Sequence, residues 1–223
     1  MIDESRKASS RPYHHGDLRR ALVDAALELI AAEGARALTL REVARRAGVS
    51  HTAPYRHFAS KEALLAAVAE EGFRGLRSAM LDRMNEAGDD PLLRFRESGV
   101  GYVLFAVQHP AHFRVIFGSE LPGRSDYPAL AEAGAAAFAV LIDALQACQQ
   151  AGVVRSALVY DQALAAWSLV HGLAMLLVDG QLAPWGGSPR AEALARMVTD
   201  TLQLGLAAAP VPQLALDNHE GVE

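Results

Sequence analysis

Apolar residues recur along this chain at intervals of three and four, and few stretches alternate as strands do, a pattern that predicts an all-α protein. Leu18, Ala21, Leu22, Ala25, Ala26, Leu29 and Ile30 draw one stripe on a helix that begins after Asp17 and ends at Gly34. "TLREVARRAG" predicts a second, shorter helix. In it Thr39 and Glu42 have the spacing of a capping box, each side chain satisfying a free backbone N–H. Gly48 closes this helix, Val49 turns inward, and Ser50 stands where it caps a third helix. Two short helices meeting across Gly48-Val49-Ser50 have the helix-turn-helix layout. Pro54 fits the third helix only if that helix starts near Ser50 or His51. The missing N–H then costs at most about one helical hydrogen bond.

Beyond Ser60, a further cap, the same periodicity predicts a long helix "KEALLAAVAEEGFRGLRSAMLDRMNEAG". Asp90 and Pro91 open the next helix, which His109-Pro110 breaks; "AHFRVIFG" is a short helix closed by Gly118, and "SELPGRSDYP" is a loop. A long alanine-rich helix covers 129–151. Asp161 caps an apolar helix over 162–179, and Ser188-Pro189 starts the last helix, reaching about Ala208. No internal repeat is visible. The longest apolar run, Ala163 to Val178, is shorter than the roughly 20 residues of a membrane span, and the N-terminus lacks the apolar stretch of a signal peptide. A soluble cytoplasmic protein with no membrane partner is expected.

Charge changes the picture. Residues 1–61 hold 11 Lys and Arg against 7 Asp and Glu, a balance of +4, whereas the remainder carries −9 of the total −5. A basic head on an acidic body suggests that only the head meets a polyanion. The single cysteine, Cys148, makes no internal disulfide and no metal cluster. His51 and His57, like His14-His15, lack companion ligands at metal spacing, so neither a metal nor a cofactor is expected.

A helix-turn-helix sets the start of its second helix against base edges in the major groove. Here that start offers Ser50, His51 and Thr52, whose side chains suit base contacts; the threonine methyl also fits a thymine methyl. Tyr55, Arg56 and His57 follow a turn later, with Tyr55 and Arg56 suited to phosphates. Lys61 opens the next helix, where free N–H groups also favour a phosphate. Thr39 and Arg41 flank the groove from the second helix, and Arg6, Lys7 and Arg11 form a basic arm. Arg45 and Arg46 fit a solvated face equally well, and Phe58 fits the core best.

The run "TLREVARRAGVSHTAPYRHFASKEALL" resembles the tetracycline-repressor family of one-component transcriptional regulators. The residues that carry the likeness are Thr39, Val43-Ala44, Ala47-Gly48-Val49-Ser50, Tyr55, Phe58, Lys61 and Leu64. It is close over about residues 16–66, and the rest agrees in helix number and order. Thr52 and Pro54 stand where the family often has glycine and leucine, which leaves the base contacts open. "YVLFAVQHPAHFRVIFG" and "AAWSLVHGLAMLL" resemble a subfamily with a Trp…His-Gly signature, here Trp167, His171 and Gly172.

The resemblance implies a basic arm (1–15), a three-helix helix-turn-helix DNA-binding domain (16–62), a six-helix ligand-binding and dimerisation bundle (63–208) and a tail (209–223). It implies a small, largely apolar effector with one polar handle, lined by candidates Tyr102, Phe105, Phe113, Phe117, Trp167, His171 and Met175, all of which also fit the core. It implies a homodimer through the last two long helices, with Ser168, Gly172, Leu194, Met197, Val198, Thr201 and Gly205 as candidates, reading a near-palindromic double-stranded DNA operator. The function implied is a ligand-released repressor. Two other classes compete. An enzyme finds no support, since His109, His112 and Asp161 are scattered and have no nucleophile. A dimeric binding module without DNA affinity is opposed by the basic head.

Overall fold

In the computed structural model, residues 18–121 and 123–206 are described. The expected basic arm and the C-terminal tail lie outside them. Eight α-helices follow in order: α1 Leu18–Glu33, α2 Leu40–Arg46, α3 Lys61–Glu86, α4 Pro91–Gln108, α5 Pro110–Ile116, α6 Pro128–Gln150, α7 Val159–Val178 and α8 Ala191–Leu206. Short 3-10 turns punctuate them, and the all-α expectation holds. The chain packs into two compact units, one from Met1–Ala79 with Leu104–Phe138, the other from Met80–Val103 with Ala139–Glu223.

In the first unit, α1 buries Leu18, Leu22, Val23, Ala25, Ala26, Leu29 and Ile30, the stripe that periodicity predicts with Val23 added and Ala21 at its edge. Leu38, Val43, Ala44, Phe58 and Leu64 complete the core of the head. Gly72 and Gly75 sit inside α3, where glycine ordinarily weakens a helix by up to about 1 kcal/mol. Their reason is close packing. A Cβ would come within 2.9 Å of Ile116 Cγ2 at Gly72 and within 2.9 Å of the Phe105 ring at Gly75.

The second unit has an apolar core as well, but the buried polar residues among those described, Glu97, Ser98, Gln162 and Thr199, all lie in it. Glu97 on α4 is buried and accepts bonds from Arg83 (3.0 and 2.5 Å) and from Arg196. Glu192 joins both arginines at 3.0 and 2.9 Å. The buried amide of Gln162 donates to the Arg155 carbonyl at 3.0 Å and accepts from Gln149 at 2.9 Å. Cys148 is buried too, which pushes its thiol up to about 11. By length and composition alone, α6 and α7 are apolar enough to cross a membrane; 44% and 39% of their apolar windows are buried within the fold.

Three local expectations need correction. The third helix of the head is a single 3-10 turn, Ala53–Arg56. Pro54 has no N–H to extend an α-helix back to Ser50, and its own carbonyl accepts from both His57 and Phe58 at 2.9 Å, closing the turn so that Phe58 folds inward. Ser50 therefore caps nothing; its hydroxyl lies 3.2 Å from that of Thr52. The capping box of α2 is half formed. Thr39 Oγ1 accepts from the Glu42 N–H at 3.1 Å, but the Glu42 carboxylate turns to Arg45 instead, at 2.9 and 2.6 Å. Finally, α7 begins at Val159 behind Leu158, whose carbonyl accepts from the Asp161 and Gln162 N–H groups. Asp161 lies in the first turn, where the helix dipole favours its charge, and is not the cap. Elsewhere the caps agree: Ser60 Oγ accepts from Ala63 N–H at 3.3 Å, and Asp90 accepts from Leu92 and Leu93 at 2.8 and 3.2 Å.

Candidate nucleic-acid interface and C-terminal sites

The head is built on a tight turn. Gly48 has φ +69°, a left-handed conformation that side-chain-bearing residues resist, and it reverses the chain directly after α2. The reversal sets Ser50 and His51 beside Thr39, Arg41, Glu42, Arg45 and half-buried Val49 around an open hollow of about 400 Å³. Pro54 and Phe58 are buried, with the Arg19 guanidinium 5.5 Å from the Phe58 ring centre. Thr39, Arg41, Ser50, His51, Thr52, Tyr55, Arg56 and His57 are all exposed, Tyr55 to 59%.

The structure sorts the basic residues in a way that spacing does not. Arg45 is forked onto Glu42, a pairing that holds the Glu42 carboxyl below its ordinary pKa. Arg46 pairs with Glu33 at 3.2 Å, Arg20 with Asp24 and Glu71, and Arg36 with Glu120. The Lys61 ammonium donates to the Arg36 carbonyl at 3.1 Å, so one of its three hydrogens is committed. Among the described residues of the head, Arg41 and Arg56 are exposed and have no carboxylate partner; Arg19 and Lys61 have none either, but Arg19 lies over Phe58 and Lys61 is bonded to a carbonyl.

The seven effector candidates divide between the units. In the first, Phe113 is wholly buried, its ring 4.9 Å from Phe117; Phe105 is buried against His109, also at 4.9 Å. In the second, Tyr102 links two residues of α7. The Trp167 indole N–H donates to the Tyr102 hydroxyl at 3.1 Å, and that hydroxyl lies 2.8 Å from His171 Nδ1. An indole only donates. The phenol oxygen therefore accepts from Trp167, and the direction of its bond with Nδ1 follows the imidazole tautomer. Burial favours the neutral form of both rings, because it lowers the His171 pKa and raises that of Tyr102. Met175 is half-buried one turn further along α7.

The dimer candidates form one face of the second unit. Ser168, Gly172, Met197, Thr201 and Gly205 are exposed, and Leu194 and Val198 half-buried. The hydroxyls of Ser168 and Thr201 donate back to the Leu164 and Met197 carbonyls at 2.7 and 2.8 Å, so the face carries little unmet polarity. Leu164, Leu169 and Leu176 are also 44–54% exposed on α7. Those leucines, together with Leu182 and Trp185 in the loop after α7, are members of the face that sequence reasoning missed. Repeated apolar positions on the side opposite the buried stripe were the available signal. Among the described residues, no three His, Cys, Asp or Glu side chains gather as a metal site.

Comparison with known proteins places both regions. A family model described as "Bacterial regulatory proteins, tetR family" matches residues 22–68, and one described as "Tetracyclin repressor-like, C-terminal domain" matches residues 95–201. The HTH-type transcriptional regulator BetI of Rhizobium meliloti (strain 1021) is 44% identical over 69 residues, 31% of this chain and 34% of BetI. The chain thus spans about a third of the length of the curated relatives it matches. A solved structure of a protein with unknown function from Rhodococcus sp. RHA1 is 35% identical over 89% of this chain and 100% of its own, with a TM-score of 0.76. The TetR family transcriptional regulator PfmR of Thermus thermophilus is 23% identical over 84% of this chain and 95% of its own, with a TM-score of 0.66, and shares the fold.

Proposed function

Because the chain belongs to the TetR family of transcriptional regulators, DNA-binding one-component proteins without catalytic activity, we propose that it is a homodimeric repressor. In this reading it acts in the cytoplasm on a near-palindromic operator and is released by a small, largely apolar effector. Residues 16–62 are its DNA-binding domain and 63–208 its effector and dimerisation domain, a division that the spans of the two matching family models support. The carrying observation is Arg41, exposed and without a carboxylate partner beside the polar surface of Ser50 and His51, together with Arg56, also exposed and unpaired, in the turn that follows. The two arginines, with Tyr55 and Lys61, hold phosphates and set register. Ser50, His51 and Thr52, with Thr39 and His57 at the edges, face the bases. Two copies read two half-sites.

In the second unit, the Tyr102–Trp167–His171 chain supplies the polar handle for the effector, and the reading includes the subfamily with the Trp167…His171-Gly172 signature. An effector that favours the DNA-incompetent spacing of the heads releases the operator by shifting populations. The test is a gel shift with the intergenic DNA upstream of the gene, titrated with salt. A dimeric complex whose affinity falls steeply with salt supports the reading. No salt-sensitive complex with any genomic fragment overturns it in favour of a binding module without DNA affinity.

A further inference from the structure

The exposed face of the second unit carries one feature that neither α7 nor α8 supplies. The loop between them makes two 3-10 turns, Ala183–Trp185 and Ser188–Arg190. The Trp185 and Gly187 N–H groups both donate to the Leu182 carbonyl, at 3.0 and 2.9 Å. Gly186 takes φ +99°, and the Arg190 stem lies so close that a Cβ on Gly186 would sit 2.4 Å from its Cδ. The Arg190 guanidinium then donates to the Trp185 carbonyl at 3.1 Å. The loop is held in one shape, yet the indole it carries is 65% exposed. A large rigid side chain presented this way offers contact area at little entropic cost, and tryptophan is among the residues that most often dominate interface energies.

Trp185 stands at a groove of about 580 Å³ whose apolar lining includes Leu169, Leu173, Leu176, Met197 and Val198. Within it Gly172 leaves a gap: a Cβ there would meet nothing within 4 Å. The Ser168 hydroxyl is turned into its own helix, and Arg190, the charged residue of the lining, is committed to the loop carbonyl. Protrusion and recess therefore lie on one largely apolar face whose charged lining residue, Arg190, is tied to the loop, and which is continuous with the exposed stripe of α7 and α8. A two-fold axis sets such a face against itself, and only a face holding both halves of the fit is complementary to its own copy.

We propose that Trp185 is the anchor by which the chain selects a second copy of itself, each indole being buried by the partner's α7–α8 face. This rests on the homodimer reading above. The experiment is sedimentation equilibrium of the full chain from nanomolar to micromolar concentration, for wild type, Trp185→Phe and Trp185→Ala, with circular dichroism to check each fold. The dimer Kd rises on the order of thirtyfold in Trp185→Ala and by less in Trp185→Phe. The emission difference between wild type and Trp185→Phe isolates the indole; it is blue-shifted and shielded from acrylamide in the dimer, and loses both properties on dilution. A Trp185→Ala dimer within threefold of wild type, or an indole as quenchable in the dimer as in water, overturns the anchor while the dimer stands. A wild type that stays monomeric throughout overturns the dimer, and the anchor with it. If Trp185→Ala does not fold, Trp185→Phe and the quenching measurement decide.

Discussion

The two units of this protein share apolar cores but differ in the polar groups they bury and the apolar groups they expose. The head keeps apolar side chains inside, Leu22, Leu29, Val43 and Phe58 among them, and shows polar and basic groups outside. The second unit, inside an apolar core of its own, also buries a glutamate bound by two arginines and a glutamine bound at both ends of its amide, and shows leucines outside. The head is thus finished as a single chain, and its surface is free to meet a charged partner through unpaired Arg41 and Arg56. The second unit leaves apolar area in water, an arrangement that signals an interface to be covered. Its buried charges are tolerated only because each meets partners on neighbouring helices.

This contrast can be broken from either side. The largest effect is expected on the exposed face. Met197→Asp places a charge against apolar surface in both copies and should weaken dimerisation on the order of a hundredfold, read by sedimentation; an unchanged dimer would move the interface elsewhere. Next is the buried Glu97 cluster. Glu97→Ala leaves Arg83 and Arg196 without their shared acceptor and should cost about 2 kcal/mol in urea denaturation; a neutral outcome would show that Glu192 alone holds both arginines.

Smaller effects belong to the head. Arg41→Ala with Arg56→Ala should weaken operator binding roughly tenfold and lower the salt slope by about 2, while Arg45→Ala, already neutralised by Glu42, changes little. Equal losses from all three would break the distinction between paired and unpaired arginines. Thr39→Ala removes the cap of α2 and should cost about 1 kcal/mol of stability, read by thermal melting.

The smallest effect is a pH dependence. Burial holds His112, beside Glu71 and His109, and His171, beside Tyr102, below the ordinary histidine value of 6.5. As pH falls through that value the unfolded chain takes up protons that the folded chain resists. Stability is therefore fully present above it and declines toward the lower folded values. Melting temperatures at pH 8, 6.5 and 5.5 should show the decline, and His171→Gln should flatten it.

Sequence alone determined what depends on neighbours within about four residues. The stripe of α1, the caps at Thr39, Ser60 and Asp90, the stops at Gly34 and Gly48, and the helix break at His109-Pro110 are set by local periodicity and backbone hydrogen bonds. So is the recognition surface from Ser50 to His57, whose members are adjacent in the chain. Even locally the reading fell short where a proline offered two outcomes, and Pro54 closed one 3-10 turn because Phe58 had to reach the core. Tertiary structure decided everything that rests on distant pairing. It chose which arginines of the head are neutralised, joined Tyr102 to Trp167 and His171 across more than sixty residues, and put Glu97 between Arg83 and Arg196. It also left Leu169, Leu176 and Trp185 outside. A leucine on a helix reads the same in sequence whether its own chain covers it or a partner must; only the packing of the other helices separates the two.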